Sequence, residues 1–290
     1  MVIEMNYKET ATQNITFISL MAGINVIFCV LFRFLPLSSL LFTLVLPFAS
    51  TLVMIFCKFR YTIIYVISTL LLTLLISPQD ALFYILSPML SGVVFGVCYK
   101  KSLNSSWAII LGTLTTVFVY FITLPLITLI FETSITESFK VLFMLSDEQA
   151  QNYFPSFVFV TSLLQTLLSY YIINNDLKKY IVNLKETKPN YLVLHLLAIS
   201  TGLISILLSY FYLPLALVMT FASLALGLYA CTKIIKVKKY WILILVIILS
   251  LFIFALLYPL GNGESGLCFA SSFSIILSFI SVFIKNISNS

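Results

Sequence analysis

Apolar residues run through this chain in stretches of about one bilayer thickness, separated by short polar breaks. The runs are Ile15 to Phe32, Leu37 to Cys57, Tyr61 to Ile76, Ala81 to Tyr99, Ser106 to Phe131, Phe154 to Ile173, Tyr191 to Tyr212, Leu213 to Thr232, Tyr240 to Tyr258 and Leu267 to Ile284. Crossing the ~30 Å hydrocarbon core takes ~20 helical residues. The pattern therefore predicts an all-α fold, a polytopic transmembrane helix bundle of about ten spans. At Tyr212-Leu213-Pro214 no charged residue marks the break. Pro214 near a helix start suits a tight turn there, and nine spans with one long kinked helix is the alternative.

Two connections are longer than a turn. Residues 132–153 mix Phe139, Val141, Leu142, Phe143 and Leu145 with charged residues, which predicts a short helix resting on the membrane surface. Between Asp176 and Asn190, Leu177, Tyr180, Ile181 and Leu184 fall at i, i+3, i+4 and i+7. Lys178, Lys179, Lys185 and Lys188 occupy the other faces. This is the pattern of a basic amphipathic helix, suited to a lipid surface or to a cytoplasmic partner. The expected organisation is a six-span membrane core over 1–175, a cytoplasmic basic linker helix over 176–190 and a four-span membrane region over 191–290.

Composition removes the soluble alternative. Hydrophobic residues make up 61% of the 290 positions and charged residues 9%, against about 25% charged in soluble domains. Charge also orients the chain, because Lys and Arg in short loops favour the cytoplasm. With the N-terminus inside, all of the 16 Lys and Arg except Arg33 and Lys140 fall on inner segments. Both termini are then cytoplasmic. The first run is followed by no small-residue cleavage pattern and reads as a retained helix.

The chemistry that is missing narrows the function. A single histidine, His195, is too few for a zinc site of the H-E-x-x-H type. Gly263-Glu264-Ser265-Gly266 resembles the nucleophile sequence of rhomboid serine proteases. Ser265 and His195 are nevertheless expected at opposite membrane faces, out of hydrogen-bond reach. Cys29, Cys57, Cys98, Cys231 and Cys268 include no C-x-x-C pair, so neither a disulfide nor a metal cluster is indicated. No phosphate-cradling glycine loop is present. The expectation is a non-enzymatic protein without metal or cofactor and without a nucleic-acid partner, embedded in the lipid bilayer.

Polar residues inside the predicted spans are few and uncharged. Asn25 and Gln165 suit interhelical hydrogen bonding or ligand recognition. Arg33 suits snorkelling to the membrane surface or contact with an anionic ligand. Ser91-Gly92-Val93-Val94-Phe95-Gly96 gives span four a G-x-x-x-G packing face through Gly92 and Gly96, and Ser19 with Gly23 gives span one a shorter one.

The order of landmarks resembles the YybS-like family of bacterial polytopic membrane proteins, whose function is uncharacterised. The matching features are a hairpin with Pro36 and Pro47, the basic turn Phe59-Arg60 and Pro78 before span four. They continue with Gly92 and Gly96 followed by Tyr99-Lys100-Lys101, Pro155 opening span six, and Ser169-Tyr170-Tyr171-Ile172 leading into Asn174 to Lys179. The first six spans of that family are similar to the substrate-binding S-components of energy-coupling-factor transporters. Those components bind micronutrients and rely on separate coupling and ATPase subunits. The resemblance implies a bacterial cytoplasmic-membrane protein taking up a small solute with no ATPase of its own, its ligand near Asn25, Arg33 and Gln165. Ser19 and Gly23 stand where S-components commonly show an A-x-x-x-A docking face, and four further spans follow residue 190. A non-transport scaffold or regulatory protein, holding partners through the basic helix, is the alternative.

Overall fold

A computed structural model of the chain describes residues 8, 10–34, 39–132, 134–180, 191–236, 240–258 and 263–288, which are helical with no strand among them. The helices are α1 (Ala11–Phe34), α2 (Ser39–Phe56) and α3 (Phe59–Ile76), then a turn Pro78–Asp80 that passes through a π-helical segment Ala81–Ile85 into α4 (Leu86–Lys100). They continue with α5 (Ser105–Phe131), α6 (Ile135–Phe143), α7 (Asp147–Tyr180), α8 (Tyr191–Leu208), α9 (Leu213–Lys236), α10 (Tyr240–Leu257), a 3-10 segment Gly263–Ala270 and α11 (Ser271–Ser288). Among the described residues each apolar run is mainly helical, the run from Ala81 passing through the π-helical segment into α4 and the run from Leu267 through the 3-10 segment into α11. Four stretches, Ala11–Leu31, Phe59–Ile76, Ser105–Phe131 and Asp147–Leu177, are long and apolar enough to cross a membrane, and other helices are shorter and apolar. Side chains such as Leu75, Leu129 and Phe118 are exposed. So much outward apolar surface suits an integral membrane protein, with lipid rather than water around it.

Local chemistry explains the helix ends and breaks. Asn104 caps α5, its side chain accepting from the Trp107 amide at 3.0 Å, which satisfies one of the orphan donors of a helix start. Ser77 caps the Pro78 turn in the same way, accepting from Asp80 N at 3.4 Å. Pro47 sits inside α2, where a ring without an N–H interrupts the helical hydrogen bonds. The Thr51 hydroxyl lies 2.8 Å from the Pro47 carbonyl and 2.9 Å from the Gly92 carbonyl. It therefore ties the proline turn to α4, the kind of compensation that makes proline tolerable in an apolar helix.

The chain divides into two compact units. The first comprises Met1–Ile135 with Thr161–Pro189, the second Thr136–Val160 with Asn190–Ser290. In the first unit α1 packs on α2 and α3, α2 on α4, and α4 on α5. Its core joins Ile55, Phe95, Cys98 and Ala108 to Tyr170, Ile173 and Leu177 from the second half of α7. The closest approach is between α2 and α4. A Cβ at Gly92 would meet the Pro47 backbone, with Cα at 2.8 Å, and one at Gly96 would meet Met54 Cβ at 2.5 Å. Gly112 of α5 is as tight, against Phe95 and Thr166.

The second unit is held by small residues and hydroxyls. Helices α8, α9 and α11 pack on one another and α10 on α11. Ser205 and Thr220 hydroxyls both reach the Ala216 carbonyl, at 3.0 and 2.9 Å, while Ser223 donates to Ala198 O and Ser271 to Gly202 O. Gly202 admits Ile275 and Ser223, and Gly227 admits Ser274. The pairings 205 with 220 and 198 with 223 make α8 and α9 antiparallel. They are separate helices joined through Ser209–Tyr212, not one kinked rod.

Three boundaries differ from the sequence reading. Asp176–Tyr180, expected to begin a separate linker helix, is the last turn of α7. Leu177 is buried in the first unit's core, because it follows Tyr170 and Ile173 at i+7 and i+4 on the same face of α7. Residues 181–190 lie outside the described residues. Residues 136–160, expected within the six-span core, cluster instead with the second unit. Helix α6 also does more than rest on lipid. Phe139 is buried, its ring 5.5 Å from Phe154 and 5.0 Å from Phe157 at the start of α7.

Candidate functional site

The uncharged polar residues of the first unit gather around two tyrosines. The first node joins α1, α2 and α3. Asn25 is wholly buried and donates through Nδ2 to the Tyr65 hydroxyl at 2.7 Å, and Ser50 Oγ lies 3.2 Å from the same hydroxyl. Tyr65 and Ser50 are themselves fully buried. The spacing arises from helix geometry, since Tyr65 lies one turn from Thr62 and from Thr69 on the inward face of α3. An asparagine amide carries acceptor and donor capacity together, and one tyrosine satisfies only part of it. Asn25 Oδ1 is left buried with no hydrogen-bond partner, as is the hydroxyl of Thr62.

The second node joins α5, α7 and the π-helical segment. Tyr120 donates to Gln165 Oε1 at 3.2 Å, while Gln165 Nε2 is buried without a partner. Thr113, Thr116, Tyr120 and Thr123 follow one another on a single face of α5, and Ser162, Gln165, Thr166 and Ser169 on a single face of α7. The Thr113, Thr116, Thr123, Ser162, Thr166 and Ser169 hydroxyls are likewise buried and unpaired. Tyr84 of the π-helical segment and the buried Ser87 lie beside Tyr120. A π turn displaces the side chains after it by one extra residue, and such turns are frequent at functional sites. Neither node contains a charged side chain among the described residues.

Of the residues singled out from sequence, Asn25 and Gln165 each meet a tyrosine, but they share no partner. They belong to two nodes rather than one. Arg33 is in the last turn of α1, and its side chain lies outside the described residues, as do the side chains of Lys178 and Lys179 and the whole of Lys185 and Lys188. Gly92 and Gly96 meet α2 as described. Ser19 is exposed and a Cβ at Gly23 would meet nothing within 4 Å, so this face of α1 has no covering helix among the described residues. His195 is buried on α8. Tyr65, Ser50 and Tyr120 were missed by the sequence reading. A tyrosine in an apolar run reads as a membrane-interface ring, and only its helical phase with Thr62 and Thr69 marks Tyr65 as inward-facing.

Charge is confined to the ends. At one end of the first unit the Asn14 side chain donates to the Lys8 carbonyl at 2.6 Å and accepts from Lys58 N at 3.3 Å, and Lys100 Nζ donates to the Cys57 carbonyl at 3.0 Å. The ammonium thus meets the carbonyl end of α2, the favourable end of the helix dipole for a cation. Burial lowers the Lys100 pKa, opposed by Cys57. Burial pushes the Cys57 thiol up to about 11, against the pull of Lys8 and Lys100. In the second unit Asn152 donates to Glu264 at 3.1 Å, which anchors the 3-10 segment to α7. Gly266 is required there by its contact with the Tyr258 carbonyl, 2.7 Å from where a Cβ would stand. Lys140 pairs with Asp147 and Glu137, and its hydrogen bond to Asp147 raises its pKa.

The four described cysteines, Cys29, Cys57, Cys98 and Cys268, are buried and form no disulfide. Among the described residues no three His, Cys, Asp or Glu side chains converge as metal ligands would. Comparison with protein-family models, with curated proteins and with solved structures gave no match.

Proposed function

We propose that the first unit is the solute-binding part of an uptake system, taking a small solute into the two tyrosine nodes and drawing its energy from separate coupling and ATPase subunits. The observation that carries the reading is the pair of open amide groups, Asn25 Oδ1 and Gln165 Nε2, held by Tyr65 and Tyr120 deep in an apolar bundle. An unsatisfied buried polar group costs about 1–3 kcal/mol, and an occupant that supplies the missing partner recovers that energy. The open acceptor of one node calls for a donor on its occupant, and the open donor of the other calls for an acceptor. The resemblance to S-components supports the same reading, as does the absence from the sequence of any nucleotide-binding motif. In this reading the protein sits in a bacterial cytoplasmic membrane with about ten spans and both ends in the cytoplasm, and Arg33 guards the outer entrance.

A second reading, a membrane scaffold or regulatory protein, is favoured by the open small-residue face at Ser19 and Gly23. That face suits close approach of a partner helix, and the basic stretch from Lys178 to Lys188 suits a cytoplasmic partner or the lipid surface. Native mass spectrometry of the gently solubilised protein separates the two. A retained small molecule that is lost in Asn25→Leu and in Gln165→Leu, with a coupling subunit and two ATPases in the same complex, is the expected result. An empty chain carrying other membrane proteins, released when the four lysines 178, 179, 185 and 188 become Gln, overturns the uptake reading in favour of the scaffold.

A further inference from the structure

The turn between α8 and α9 carries three consecutive aromatic rings, Tyr210, Phe211 and Tyr212, all turned outward. Phe211 is 85% exposed, Tyr210 63% and Tyr212 59%. In water such a turn would be an unusual place for three rings. Its surroundings point elsewhere. From Leu196 to Thr232 the sequence contains no Lys, Arg, Asp or Glu, so neither helix nor turn offers a charge to hold the tip in solvent. The exposed face of α8 carries Leu196, Leu203 and Leu207 and, between them, Ser200, whose hydroxyl turns back to the Leu197 carbonyl at 3.1 Å, and it leads into Tyr210. The rings thus continue an apolar surface that suits acyl chains.

Length fixes the depth of the turn. Helix α8 has 18 residues, about 27 Å at 1.5 Å per residue, against a hydrocarbon core of about 30 Å. If α8 crosses the bilayer it needs its whole length to do so, and the turn lies at the hydrocarbon boundary rather than above it. The backbone is prepared for that position. Ser209 N donates to Ser205 O, Tyr210 N to Leu207 O, and both Phe211 N and Tyr212 N to Leu208 O, while Tyr212 O accepts from Ala216 N. The Ser209 hydroxyl donates to Ile206 O at 2.7 Å. Pro214 removes one orphan donor from the start of α9. With these amides paired, the turn can leave water at less cost than an ordinary loop.

We propose that Ser209–Tyr212 is inserted at the boundary between acyl chains and headgroups, with the lipid as the partner of its three rings, and that this turn sets the depth of the second unit in the bilayer. The Phe211 ring enters the acyl region and the Tyr210 and Tyr212 hydroxyls stay at headgroup level, the division of labour that amphipathic rings favour. The start of α7, in the same unit, is the internal reference. Tyr153 packs against the buried cluster of Ala216, Leu217 and Cys268, as do Leu208 and Leu213 on either side of the turn, and Glu148, exposed and more than a helical turn before it, is placed on the water side.

The test uses the full chain, purified and reconstituted at low protein-to-lipid ratio in phosphatidylcholine–phosphatidylglycerol vesicles. Phe211→Trp, in a chain with Trp107→Phe and Trp241→Phe, is expected to emit at shorter wavelength than Glu148→Trp in the same background and to be quenched at least twofold by acyl-brominated phosphatidylcholine. With cysteines placed instead, Phe211→Cys is expected to react with a membrane-impermeant maleimide at least tenfold more slowly than Glu148→Cys. Absence of bromolipid quenching at position 211 overturns the proposal. If labelling there is fast the turn is in water, and if it is slow another protein or a second copy covers the rings.

Discussion

The two units handle buried polarity differently. In the second, Ser205, Thr220, Ser223 and Ser271 each find a carbonyl on their own or a neighbouring helix, while the buried Ser156, Ser272 and Ser274 hydroxyls have no partner. In the first, the inward polar set includes two amides, Asn25 and Gln165, each holding a tyrosine with one of its groups and leaving the other unpaired. A hydroxyl can return its proton to the preceding helical turn and so satisfies itself cheaply in lipid. An amide has two groups pointing in different directions, and the preceding turn of its own helix does not satisfy both. The paired hydroxyls fasten helices of the second unit, and the unpaired amide groups of the first unit are the feature on which the uptake reading rests.

The contrast can be broken most severely at a glycine. Gly92→Leu should prevent folding of the first unit, and Gly92→Ala should cost about 3 kcal/mol through overpacking, because the obstacle is the Pro47 backbone rather than a flexible side chain. Thermal melting in mild detergent checks this, with Gly23→Ala as a control expected to change stability by less than about 0.5 kcal/mol. If both variants behave alike, the α2–α4 contact is not what holds the unit. Next in size comes the amide itself. Asn25→Leu combined with Tyr65→Phe should be more stable than Tyr65→Phe alone, since the amide is no longer left without the phenol and Ser50 is the partner still deprived of it. Tyr65→Phe alone should cost about 1–3 kcal/mol. A double variant less stable than both singles would make the node a structural clasp.

In the second unit Ser205→Ala should cost only about 0.6 kcal/mol, the usual worth of an interhelical hydrogen bond in a membrane protein. A loss above about 2 kcal/mol would erase the distinction between the units. The smallest effect is chemical. Cys57, pushed up to about 11 from 9.0 by burial, should hold roughly 100-fold less thiolate at pH 8 than an ordinary cysteine. Alkylation of the folded chain at pH 8 should therefore be slow there. The raised pKa also means that the contribution of the neutral thiol to stability is intact below pH 9 and falls as pH rises from 9 towards 11. Cys57→Ser should flatten that part of the pH–stability curve.

The helices were legible in the sequence because lipid imposes a length on every apolar run. The Gly92–Gly96 face could also be read, since two glycines four apart in an apolar run have few other uses. The units were less accessible. Nothing in the apolar stretch after Phe154 announces that its first part clusters with one unit and its second with the other, because the change of neighbours occurs inside a continuous helix. The nodes were half-visible. Asn25 and Gln165 stand out as amides among apolar residues, but Tyr65 and Tyr120 do not, and their role comes from helical phase across three helices. The small residues Ala216, Thr220, Ser223 and Gly227 carried an available signal in their spacing of four, three and four, the stripe by which α9 admits its neighbours.

The π-helical segment Ala81–Ile85 has a consequence for the descent of this fold. A π turn is an α-helix with one residue inserted, absorbed locally instead of being passed along the helix. Removing a single residue there would let the helix close into regular turns, rotating Pro78–Asp80 by about 100° relative to α4, while Gly92 and Gly96 kept their register on α2. The helix thus separates two heritable properties. Its packing half is bound to the register of its partner, and its Tyr84 half is free to be re-indexed by an insertion or deletion, so related chains could diverge at the Tyr120–Gln165 node in one genetic step without relinquishing the fold.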